Sequence, residues 1–210
     1  MPSTPKTLLA GAQALDASAA NTDQPIVGAS GDIWFAAART TNPPISAPPP
    51  ADWTRLGLIT EDGAAFGNSR DTSDIMVWQS LYAARRLTTS LENTLKFAMA
   101  SWSRASVSFA FAGGSWSGTA ETGYTYTPPE PGSEVERAVL LRWVDGTFSA
   151  QLWLPRTTIS ENEDLSLKRD EGATLGVTVS VLGEAGTPAW QFTSLNGRFT
   201  DPAVPPPAGG

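Results

Sequence analysis

Between Arg86 and Gly114 the sequence changes period, and the change constrains the fold more than any other stretch. Leu87, Leu91, Leu95, Phe97 and Met99, with Thr89 and Asn93 between them, share one side. Thr88, Ser90, Glu92, Thr94 and Lys96 share the other. Period two over more than ten residues describes a long, half-buried antiparallel strand. From Trp102 the spacing turns helical: Trp102, Ala105, Phe109 and Ala112 recur at i, i+3, i+7 and i+10. Ser101 is the expected N-cap, and Gly113-Gly114 the left-handed stop. Val107 and Phe111 lie nearly opposite that stripe, so the helix has two apolar edges. One suits its own sheet; the other is available to a neighbouring subunit.

The remaining folded sequence reads as β. Strands are expected at 31–38, 53–60, in "GYTYT", at 138–144, 148–154, 165–168, 173–183 and 189–192. Asp145-Gly146 marks a tight hairpin. Residues 61–85 read as a long polar connection carrying scattered aromatics, and residues 40–53 as an extended Pro-rich one. The fold expected is all-β with one flanking α-helix, a two-sheet sandwich or barrel. Its domain spans 28–200, between an N-terminal arm over 1–27 and a C-terminal tail over 201–210, both of low complexity.

Composition removes most chemistry. There is no histidine and no cysteine, hence no neutral-pH imidazole shuttle, thiolate nucleophile, disulfide or Cys-based zinc site. The net charge of −7 includes no Lys/Arg cluster of the kind that displaces counterions from nucleic acid. No apolar run reaches the roughly twenty residues of a membrane span. "KTLLAGAQALDASAA" is too short in its apolar part, and too broken by Gln13 and Asp16, to read as a signal peptide; a surface arm is expected.

Carboxylates are the remaining candidates for chemistry. Glu161, Glu163 and Asp164, or Asp71 with Asp74, have the residue types of a glycosidase pair or a calcium loop. They lack the ligand order of such a loop and sit in turn sequence, where these residues serve local hydrogen bonds. Eight tryptophans raise the possibility of sugar stacking, but Trp34, Trp143, Trp153 and Trp190 fall inside alternating strands, where burial is commoner. No catalytic, cofactor or metal residue is assigned, and no enzyme activity is expected.

Taken in order, "GDIWFAAARTTNPP", "DWTRLGLITEDGAAF", "RDTSDIMVWQS" and "NTLKFAMASWSRASVSFAFAGG" resemble the major tail tube proteins of long, non-contractile-tailed bacteriophages, above all those of actinobacteria. The landmarks are Gly57, Glu61-Asp62-Gly63, Phe66, Trp78, Trp102-x-Arg104 and Gly113-Gly114, and the resemblance runs from 28 to about 195. It implies rings, usually hexameric, whose inner sheets join into one barrel around a lumen, and which stack into the tube that delivers DNA. Thr88, Ser90, Glu92, Thr94 and Lys96 would face that lumen. Phe66, Ile75, Met76, Trp78 and Tyr82 of an inter-ring loop over 61–85, with Val107 and Phe111, would form contacts between subunits or rings. Implied partners are other copies of the chain, the tape measure, tail terminator and distal tail proteins, and DNA passing without specific binding. No cofactor or membrane partner is implied, and the implied location is the virion tail after assembly in the host cytoplasm. A tail terminator or baseplate role shares the same fold. The competing reading is a monomeric β-sandwich that binds carbohydrate.

Overall fold

The computed structural model describes residue 28 and residues 30–79, 81–165, 167, 169, 172–195 and 199. The expected terminal arm and tail lie outside these. In chain order the elements are β1 (Ser30–Ala37), β2 (Thr54–Arg55), β3 (Ile59–Ile75), β4 (Arg85–Met99), α1 (Arg104–Ala110), β5 (Ser115–Thr119), β6 (Gly123–Thr127), β7 (Arg137–Asp145), β8 (Phe148–Asn162), β9 (Leu175–Val181) and β10 (Gln191–Ser194). Among the described residues strands dominate, and one short α-helix flanks them.

One antiparallel sheet runs β2-β1-β7-β8-β9-β4-β3, with β10 also on β8, while β5 and β6 form a separate hairpin. β8 is the pivot. Its first half pairs with β10 through Ala150–Trp153, and its second half pairs with β9 from Thr157 onward. Pro155, lacking an N–H for the ladder, sits between those two partners. Both halves of the sheet thereby contribute to one core. Ile33, Val139, Leu152 and Leu154 come from one half; Leu95, Phe97, Met99, Leu175, Val177 and Val179 come from the other. The helix closes it with Phe109, whose ring lies 5.3 Å from Phe35 and 6.0 Å from Phe97.

A second, smaller cluster of Ala36, Trp53, Ala138, Leu140 and Trp153 covers the outer face of β1, β7 and β8. The Pro-rich segment straps it down. Proline has a carbonyl but no N–H, so such a strap needs donors opposite it. Arg142 donates to the Pro44 carbonyl (2.9 Å) and the Ala47 carbonyl (2.6 Å), Gln151 Nε2 to the Pro43 carbonyl (2.8 Å), and Trp153 Nε1 to the Thr40 carbonyl (3.1 Å).

Several sequence expectations change. Residues 61–75 belong to β3, which is paired with β4 almost throughout, so the expected connection shrinks to the few residues between Ile75 and Arg85. Its Asp, Ser and Gly content has low β propensity, and the ladder with β4 overrides it. Helix α1 starts two residues later than the spacing implied. Ser103, not Ser101, is the N-cap, in a reciprocal box with Ser106, and Trp102 precedes the helix. Ser101 instead accepts from the Leu58 N–H at 2.8 Å. Leu165 and Leu167 lie outside strands, while residues 166 and 168 fall outside the described set. The left-handed stop falls one residue earlier than expected: Ala112, at φ +53, follows the cap Phe111, and the Gly113 N–H closes the turn on the Ser108 carbonyl (2.8 Å). Gly114, at φ +84, is required instead by packing, because a Cβ there would lie 2.5 Å from the Tyr126 hydroxyl.

Candidate assembly surfaces

Two surfaces arise from the same pair of strands. β9 pairs with β4 only from Thr94 to Met99. From Asn93 back to Arg85, β4 is paired with β3 alone. At about 3.3 Å per residue, the ribbon these strands make reaches roughly 30 Å beyond the sheet. At its base Asn68 Nδ2 donates to Oδ1 of the buried Asn93 (2.6 Å). Further out the Ser90 hydroxyl donates to Asp71 (2.7 Å), and Arg86 makes a two-pronged pair with Asp74 (2.7 and 2.9 Å). Arg86 holds the Asp74 carboxyl below its ordinary range, chiefly by that hydrogen bond. Asp71 and Asp74, considered as ligand or catalytic candidates, are therefore cross-strand clasps on a ribbon.

The ribbon ends in apolar side chains. Trp78 is 100% exposed, Leu81 96% and Tyr82 84%; Ile75, Met76 and Val77 are also exposed. Thus four of the sequence-derived contact residues, Ile75, Met76, Trp78 and Tyr82, are brought together at one tip. Val77 and Leu81 join them although the sequence reading did not single them out. Phe66 does not belong there. It lies in the body of β3, packed on the main core and edge-on to Trp190 at 5.5 Å. Val107 likewise packs against the core, whereas Phe111 is 44% exposed and leans on Tyr126 at 5.9 Å.

The second surface is the side of the sheet turned away from the core. Glu92, Thr94 and Lys96 line a hollow of about 700 Å³ with Gly67, Asn68, Ser69, Ser160, Glu161 and Thr178. Register explains its polarity. Thr94 pairs with Gly67 and Ser180, and Lys96 with Ala65 and Thr178, so the strand alternation places small or polar residues along one side. Ser90, opposite Asp71, continues this side along the arm. Thr88 does not. The register shifts between Asp71 and Thr72, leaving Thr89 as an extra residue, so Thr88 pairs with Thr72 and changes sides while Leu87 takes its place. Alternation read along one strand fails at such a bulge.

The tryptophans considered for sugar stacking do not form an exposed row. Trp153 is buried with Trp34 packed against its cluster, while Trp143 and Trp190 line a groove with Phe66 and Phe192. No group of three or more acidic residues among the described residues has the arrangement of a metal site.

Among solved structures, a chain of the "Virion of native gene transfer agent (GTA) particle" matches at 12% identity and a TM-score of 0.39, over 77% of this chain and 95% of that one. No curated protein matches significantly. The family model described as phage tail tube protein matches residues 18–204, which include every element of the sheet, the arm and the helix. The chain is therefore a structural protein of the virion tail and belongs to the phage tail tube protein family.

Proposed function

We propose that the protein assembles into hexameric rings that stack into the tube of a long, non-contractile tail, and that DNA is delivered through the lumen. The observation that carries this reading is the arm: a β3–β4 ribbon that reaches beyond the sheet and ends in exposed Trp78, Leu81 and Tyr82. Large apolar side chains gathered at one exposed point mark an interaction site, and the tip residues are taken to order against an adjacent ring. The polar hollow with Glu92, Thr94 and Lys96 is assigned to the lumen wall. A wall of mixed, net-neutral to acidic character lets a polyanion slide without holding it. The exposed Phe111 edge of α1 is assigned to a neighbour in the ring. The tape measure protein would occupy the lumen before DNA, and terminator and distal tail proteins would close the ends. On this reading the protein has no enzymatic activity.

Negative-stain microscopy of the purified protein at high concentration tests the proposal. Rings with six-fold symmetry and stacked tubes with a central channel are the expected result. Monomers at all concentrations, combined with binding to a glycan array, would replace it with the carbohydrate-binding reading.

A further inference from the structure

Among the described residues the sheet leaves an apolar gap. β3 ends the sheet order, with its outer side unpaired among the described residues. β1 is paired along its length with β7, yet on its other side only Trp34 and Phe35 have strand partners. Between these two open edges lies a groove of about 850 Å³ lined from both, by Ser30, Gly31 and Ile33 and by Ile59, Thr60, Glu61 and Phe66. Trp143, Trp190 and Phe192 form its aromatic floor. The Thr60 hydroxyl is shut off from solvent without a hydrogen-bond partner. Unpaired strand edges beside apolar lining are the arrangement that accepts an added segment of chain.

We propose that the occupant is the chain's own N-terminal segment: residues 7–15, "TLLAGAQAL", return to the groove and place Leu8, Leu9 and Leu15 on its aromatic lining. Four observations favour this occupant. Gly28 is itself part of the groove's rim, so the segment is tethered at the site it fills. Twelve residues separate Leu15 from Gly28, a span of up to about 40 Å when extended. Such a tether supplies millimolar effective concentration. Lys6 is the sole Lys or Arg before Arg39, and it precedes the apolar run where the exposed Glu61 carboxylate stands on the groove's lip. Residues 1–17 also precede the family match, which begins at 18, so the segment lies outside the part of the chain matched to the family. Docked there, the segment covers the open edges of the free subunit.

The absence of native cysteine makes the test clean. The full-length chain carries Thr7→Cys with Asp62→Cys beside the groove, or Thr7→Cys with Ser117→Cys on the β5–β6 hairpin, which lines no part of it. Each is treated with a short bis-maleimide in dilute solution, where no tube forms. Intrachain cross-linking about tenfold faster for the groove pair is expected, in keeping with a tethered, docked segment. The added changes Leu8→Asp and Leu9→Asp should abolish that preference. Equal rates at the two positions would overturn the proposal, as would a preference that survives the aspartates. A predominantly interchain product would also overturn it and assign the groove to a second copy. Because the readout concerns the free subunit, tube formation could fail with the latch intact, or succeed without it.

Discussion

Replacing Trp78 with alanine should separate assembly from folding. The side chain is 100% exposed at the tip of the arm, so the free subunit loses almost nothing: the expected change in unfolding free energy is within about 0.5 kcal/mol. In a contact between rings the same indole would bury about 200 Å². At ~25 cal/mol per Å² that is ~5 kcal/mol before any opposing cost. Ordering a tip that only one ribbon supports consumes part of it, and we take half, ~2.5 kcal/mol, as the net loss per contact. A loss of that size raises the critical concentration for tube growth roughly 70-fold. Two measurements check this: urea unfolding of dilute protein followed by circular dichroism, and the critical concentration by sedimentation with microscopy of the pellet. Tubes of normal length at an unchanged critical concentration would refute the reasoning. So would a fall in the urea midpoint, because Trp78 would then be holding its own subunit together.

Four further outcomes are expected. Phe109→Ala empties the site between Phe35 and Phe97 and should cost the subunit about 3–5 kcal/mol in urea unfolding. Phe111→Asp should leave the urea midpoint nearly unchanged while reducing ring formation, measured by sedimentation velocity. Glu92→Lys with Thr94→Lys should still give tubes by microscopy, but tubes that retain DNA in a salt-sensitive manner, because the hollow gains two cations toward phosphate. The Asp74–Arg86 clasp should respond to acid: Asp74 has a depressed pKa, so its contribution is present above the ordinary carboxylate range and is lost as pH falls through the lowered value. The protection factor of the Ala84 amide, whose N–H donates to the Ile75 carbonyl, should fall over that range once the intrinsic exchange rate is divided out, and Arg86→Gln should remove this change in protection.

The parts of the fold legible in the sequence are those where one side of a strand is buried and pairing is one-to-one. Asn93 to Met99 alternates as read because Asn93, Leu95, Phe97 and Met99 are buried. Val177 and Val179 likewise lie in the core, and Asp145-Gly146 turns β7 into β8 with Gly146 at φ +58. β3 was not legible because most of it has no buried side: "EDGAAFGNSRDTSD" is a strand through its partner, not through its own pattern. The same absence of a core beneath the arm hid the bulge that moves Thr88. For the candidate site, scattered aromatics in a polar stretch located the tip, but sequence distance could not separate Phe66, held in the sheet body, from Trp78 at the end. Nor could it reveal the groove, whose lining comes from five strands spread between Ser30 and Phe192.

The Pro-rich strap has a consequence for the particle as a whole. Five prolines fall between Thr40 and Trp53, and the carbonyls of Thr40, Pro43, Pro44 and Ala47 are already engaged by Trp153, Gln151 and Arg142. A flank with few free donors and its acceptors occupied cannot serve as a template for a foreign strand. In the tube proposed above, copies set side by side would therefore present no adhesive stripe along this flank, and neighbouring tubes would not bundle through it.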